Sequence, residues 1–164
     1  MIPPMRLLVI NDHPALFEFL AHNMNSRGVQ FLSVCRNQLQ DGPAENICWS
    51  LQQLYEHQPN TVVHLIGPAA IASPDALSSS LAALEKAVRL SGFVRNFVTV
   101  LDLKNSEPEQ ADKILRESSF PCLRSVLWVP RDSTNLRENL LRASEKVTDL
   151  LFPSDSPHFA PCLV

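Results

Sequence analysis

Glycine is scarce in this chain: four residues in 164, set against thirteen prolines, where ordinary usage is about 7% and about 5%. Loops that cradle phosphate need glycine for tight turns and close backbone approach. A glycine-built nucleotide loop is therefore excluded at the natural place, since no glycine occurs between Ile10 and Arg27. Tyrosine is rarer still, Tyr55 being the only one. The four cysteines, Cys35, Cys48, Cys122 and Cys162, form no C-x-x-C, and His13, His22, His57, His64 and His158 show no i, i+4 pair. Neither a zinc site nor a redox motif can be read from them, and the expectation is no metal. No apolar run approaches the roughly 20 residues of a bilayer span, and Met1-Ile-Pro-Pro-Met-Arg6 lacks the pattern of a secretory leader. The expected location is the cytoplasm. Basic clusters are also missing: the net charge is −3, and no lysine or arginine stripe stands out, so nucleic acid and anionic membrane are not expected as partners.

What is present is the composition of one soluble globular domain, 45% hydrophobic and 19% charged. At this size roughly two thirds of the surface can be buried, enough for a core without disulfides or metal. Arg6-Leu-Leu-Val-Ile10 is a continuous apolar run stopped by Asn11-Asp-His-Pro14, as in a strand covered on both faces. Pro14 suits a first helical turn, Leu16, Phe17, Leu20 and Met24 recur at helical spacing, and Gly28 stands at a C-cap. Residues 29–34 read as a second strand. Ile47, Leu51, Leu54 and Tyr55 make a helical stripe that ends before Pro59, and Thr61–Ile66 is a third strand. A long helix follows, with Ser73 as N-cap, Leu77, Leu81, Leu84 and Val88 as its stripe, and Gly92 at its end. Phe97–Leu101 is the fourth strand, Ser106 and Glu109 form a capping box opening a helix through Leu115, and residues 123–129 give the fifth strand. Leu136, Leu140, Val147, Leu150 and Leu151 mark the last helix, which Pro153 ends. Cys35, Cys48 and Cys122 lie in these apolar patterns and are expected as buried thiols, while Cys162 falls in the tail.

Five strand runs alternating with five helical stripes predict an α/β chain: a three-layer, Rossmann-like open parallel sheet of about five strands with helices on both faces. Residues 1–153 make one domain, and 154–164 a flexible tail. Ligands in such folds bind outside the carboxyl ends of the strands, where the strand order reverses. Asn11, Asp12, Gly67, Asp102 and Arg131 are the candidate ligand-binding residues of that edge. Asn11 and Asp12 read first as caps of the first helix, because Asn and Asp are preferred there, with a polar ligand or metal pocket as the alternative. His64, inside the third strand, reads as a satisfied core histidine, with an acid or base role as the alternative. Arg131 beside Asp132 also suits a solvated pair, and Glu107, Glu109 and Asp112 suit a helix dipole. Trp49 and Trp128 pack or mark an interface.

The order of Arg6–Ile10, Asn25-Ser-Arg-Gly28, Gln58-Pro-Asn-Thr-Val-Val-His-Leu-Ile-Gly67, Leu81-Ala-Ala-Leu-Glu-Lys-Ala-Val88 and Phe97–Leu101 resembles the extended short-chain dehydrogenase/reductase superfamily. Within it, the likeness is to dTDP-4-dehydrorhamnose reductases and related sugar-nucleotide reductases. Gln110–Ser118 and Leu123–Leu127 are similar to that family's later helix and strand. The resemblance implies a dinucleotide loop after the first strand and a tyrosine acid with a lysine four residues on. Here Asn11, Pro14 and Phe17 stand where the three glycines belong, and Pro59 follows Tyr55 at the lysine spacing. No catalytic residue is expected, nor any cofactor, with NAD(P) the one specifically argued against. Thr99, in the strand where a catalytic hydroxyl is sought, reads as a packing residue.

Val9-Ile-Asn-Asp-His-Pro14 and Val126-Leu-Trp-Val-Pro130 are also similar to the first acidic turn and last strand of response-regulator receiver domains. The resemblance implies a phosphoacceptor aspartate after the third strand and a lysine before the final proline. Leu65-Ile-Gly67 and Val129 stand there instead, which leaves a pseudo-receiver, to be told from the reductase reading by sheet order. The leading expectation is a non-catalytic interaction or regulatory module with a protein partner or a homo-oligomeric contact. A nucleotide or nucleotide-sugar binder, or an unconventional oxidoreductase using the strand-end crevice, is the alternative, so a small-molecule ligand stays open.

Overall fold

The computed structural model describes residues 5–35, 43–67, 74–102, 124–129 and 134–152. Its elements are β1 (Leu7–Asp12), α1 (Pro14–Ser26), β2 (Phe31–Val34), α2 (Pro43–His57), β3 (Thr61–Ile66), α3 (Pro74–Ser91), β4 (Asn96–Leu101), β5 (Arg124–Trp128) and α4 (Leu136–Leu151). The capping-box helix expected over 106–115, the Ser73 cap, Cys122 and the tail lie outside the described residues. Among the described residues no helix is long and apolar enough to cross a membrane.

All strand pairs are parallel, in the order β2-β1-β3-β4-β5. This is the three-layer α/β sheet that the alternation of apolar runs predicts. Alternate residues of each strand face opposite sides. On one side Leu7, Val9, Val63, Leu65, Val98 and Val100 meet the buried faces of α1 and α4. On the other, Leu8, Ile10, Val62 and Phe97 meet Leu54 of α2 and Leu84, Ala87 and Val88 of α3. The central strands β1, β3 and β4 are almost wholly buried because helices cover both faces. Strand β2 is the edge: it starts two residues later than the apolar run predicts, and Leu32 is 54% exposed.

Sheet order does not separate the two family readings. The order 2-1-3-4-5 is that of flavodoxin-like and receiver sheets. A dinucleotide sheet of order 3-2-1-4-5-6 yields the same order when its outer third strand is removed and the rest renumbered.

Helix α2 departs from its expected stripe. Its buried line runs through Asn46, Ser50 and Leu54, while Ile47 and Leu51 are half-buried and Tyr55 is 53% exposed, meeting Phe93 edge-on. Two of those three buried positions are polar, so hydrophobic periodicity points one residue away from the true face. The buried-thiol expectation also fails for Cys35 and Cys48, both exposed. Cys35 falls just past the edge strand, and Cys48 sits on α2 opposite the Asn46–Ser50 line.

Candidate strand-end site

The site forms where β1, β3 and β4 end. Proline at the first helical position fixes the N-cap of α1 at the residue before it. That residue is His13, not Asn11 or Asp12, and its Nδ1 accepts from the Leu16 N–H at 3.3 Å. Asp12 remains in β1, paired with Ile66. Asn11 accepts the His13 N–H through Oδ1 at 3.1 Å, which shapes the turn into the helix. The capping reading of these two residues is thus corrected: Asn11 braces the cap, and Asp12 has another use.

Because His13 Nδ1 is an acceptor, the ring proton lies on Nε2. That N–H donates to Asp102 Oδ2 at 2.8 Å, tying the start of α1 to the end of β4 across 89 residues of chain. A second couple lies beside it: His64 Nε2–H donates to Asp12 Oδ2 at 3.0 Å, tying β3 to β1. Both couples are buried, and His64 is 0% exposed. A buried carboxylate or imidazole is tolerated only with such a partner. The core reading of His64 therefore holds.

Gly67, the residue after β3, adjoins the site. Its N–H donates to the Asp12 carbonyl at 3.2 Å, extending the β1–β3 ladder. A Cβ at this position would stand 3.0 Å from His13 Cγ and 3.1 Å from Cδ2. A side chain here would press on the imidazole more tightly than ordinary contact, so the ring would have to give by a few tenths of an ångström. The Asp102 N–H continues the next ladder to the Ile66 carbonyl at 2.9 Å. Thr99, level with His64 in the register, is wholly buried inside β4, as a packing residue should be.

Four of the five residues expected at this edge, Asn11, Asp12, Gly67 and Asp102, come together, and Arg131 lies outside the described residues. His13 and His64 complete the set. Spacing rules for metal and catalytic histidines pass them over, because their partners are 89 and 52 residues away. Two local signals do point to them: Pro14 fixes His13 as a cap, and a histidine within the apolar run Thr61–Ile66 demands a buried partner. Among the described residues no group of three or more His, Cys, Asp or Glu side chains is placed to hold a metal ion.

No protein-family model matches the chain, and no curated protein matches it. Among solved structures it is similar to a de novo designed Rossmann 2x3 fold protein, with a TM-score of 0.50 and 11% identity over 95% of this chain and 96% of that one. It is also similar to a GDP-L-fucose synthetase from Naegleria fowleri, with a TM-score of 0.43 and 13% identity over 90% of this chain. The same synthetase bound to NADP gives 0.45 and 14% over 92%. The chain spans 44% of the synthetase. At these identities the shared property is architecture, and the chain has a Rossmann-like open α/β fold.

Proposed function

We propose that this chain is a non-catalytic Rossmann-like domain, derived from sugar-nucleotide reductases, that acts through a protein partner or a second copy of itself. One observation carries the reading: the His13 imidazole stands over Gly67, pinned by Asp102, in the turn where a dinucleotide fold places its phosphates. Pro14 removes a backbone donor from the same turn. The residues there do not fit NAD(P), and no step is routed through it. Nor is either histidine placed as a general base, which must reach a substrate proton. Both ring nitrogens of His13 are engaged, and His64 is sealed from solvent.

A calorimetric titration with NADH, NADPH and dTDP sugars up to millimolar concentration tests the non-catalytic half. No saturable heat is expected. Binding near micromolar, about −8 kcal/mol, that Asp12→Ala abolishes would overturn it in favour of a nucleotide or nucleotide-sugar site. The gathering of Asn11, Asp12, Gly67 and Asp102 at one edge is the observation behind that second reading. The interaction half predicts a complex of fixed stoichiometry, rebuilt from purified components and measured by sedimentation. A strictly monomeric chain with no reconstituting partner overturns it. The pseudo-receiver reading fits the same strand order and differs in predicting that the α4 face carries the contact.

A further inference from the structure

At the opposite end of the sheet, the amino ends of β1 and β2 and the carboxyl ends of α1 and α2 border an open cleft of about 540 Å³. Ligand pockets commonly fall between about 300 and 1,000 Å³, with apolar walls and a few convergent polar groups. Here Val29, Phe31 and Pro59 supply apolar wall, and Arg6, Gln30 and His57 the polar groups.

Arg6 is fixed in place by the α2–β3 turn. Its backbone N–H donates to Asn60 Oδ1 at 2.9 Å, and its carbonyl accepts from the N–H groups of Asn60 and Thr61 at 3.0 and 3.1 Å. Its Nε–H donates to the Gln58 carbonyl at 2.8 Å. Gln58 holds that carbonyl from a left-handed conformation, φ 48°, which an L-residue with a side chain adopts at a cost. One donor of the exposed guanidinium is spent on this brace, leaving the rest of its five-donor fork for a ligand. Among the described residues no acidic side chain lines the cleft. The carboxyl end of α1, whose dipole opposes an anion, is closed by its own turn, with the Val29 and Arg27 N–H groups on the Met24 carbonyl and Gly28 N–H on that of Asn25.

We propose that this cleft binds a small amphiphilic anion, its acidic head on the Arg6 guanidinium and its apolar body against Val29, Phe31 and Pro59. The site is independent of the strand-end reading.

The test uses two fluorescent probes with one ring system. 1-Anilinonaphthalene-8-sulfonate carries an anionic head, and N-phenyl-1-naphthylamine lacks it. Saturable one-to-one binding of the sulfonate is expected, about tenfold tighter than the neutral probe, the size of one charge-assisted hydrogen bond. Decanoate should displace it. Arg6→Gln and Gln30→Glu should each abolish the preference while leaving the neutral probe's affinity unchanged. Gln30→Glu alters an exposed side chain, so it keeps the test valid if Arg6→Gln unfolds. Asp12→Asn, at the far end of the sheet, should change neither affinity. Equal affinity for both probes, a preference that survives Gln30→Glu, or amide shifts that miss Arg6, Gln30 and His57 would overturn the proposal.

Discussion

His13 Nε2 lies 2.8 Å from Asp102 Oδ2, and the same ring caps α1 through Nδ1. One imidazole therefore joins a helix start to a strand end, and its tautomer is dictated by the backbone: a donated Leu16 N–H leaves Nδ1 without a proton. Long-range nitrogen-15 correlation spectra should show His13 as the Nε2–H form. Asp102→Leu should destabilise the fold by about 1 to 3 kcal/mol in urea titration, since it strands a buried donor. Asp102→Asn, which keeps an acceptor, should cost less. An Nδ1–H signal would contradict the geometry.

The Asp12–His64 couple responds differently to one change than to two. His64→Leu alone leaves a buried carboxylate without its imidazole and should cost about 3 kcal/mol. Asp12→Leu together with His64→Leu removes both polar groups, and this double variant should be more stable than His64→Leu. A double variant as unstable as the sum of the singles would show that the two side chains do not act on each other.

Gly67→Ala tests the reading of that glycine directly. The added methyl meets the His13 ring at 3.0 Å, inside ordinary contact, so a loss of about 1 to 3 kcal/mol is expected. With His13→Ala in the background the obstruction is gone, and the further cost of Gly67→Ala should fall to near zero. A cost independent of residue 13 would place the constraint in the backbone instead. Thermal or urea unfolding of the four species settles which.

Gln58→Gly should raise stability. Residue 58 sits at φ 48°, where glycine meets no Cβ penalty, and relief of roughly 1 kcal/mol is expected. The Gln58 carbonyl that receives Arg6 belongs to the backbone and is retained. A loss of stability would mean that the glutamine side chain contributes more than its conformation costs.

The legible part of this molecule is the part written in apolar periodicity. Buried parallel strands such as Thr61–Ile66 are continuous hydrophobic runs, and α1 and α3 end at glycines of positive φ, Gly28 and Gly92. The α2 face was illegible because Asn46 and Ser50 occupy it, and a pattern of apolar residues cannot reveal a buried polar line. At the strand ends, residue type and position in the fold suffice to bring Asn11, Asp12, Gly67 and Asp102 together. What they do there depends on pairings such as His13 with Asp102, which no local spacing encodes. Chain punctuation encodes one such residue directly: Pro14 names His13 as the cap.

Asn60 does at one end of the sheet what the histidine couples do at the other. Its backbone carbonyl receives the N–H groups of Arg95 and Asn96, while its side chain and N–H hold Arg6. Strands β1, β3 and β4 are therefore cross-linked by polar contacts at both rims, whereas among the described residues β2 pairs with β1 on one side and adds the edge-on contact of Phe31 with Phe17 of α1. In hydrogen exchange the three clamped strands should open together, in one event close to global unfolding, and the amides of Phe31–Val34 should exchange earlier by local fraying. The slow-exchanging heart of the domain is then a three-stranded unit held at both rims, with the edge strand as an adjustable margin.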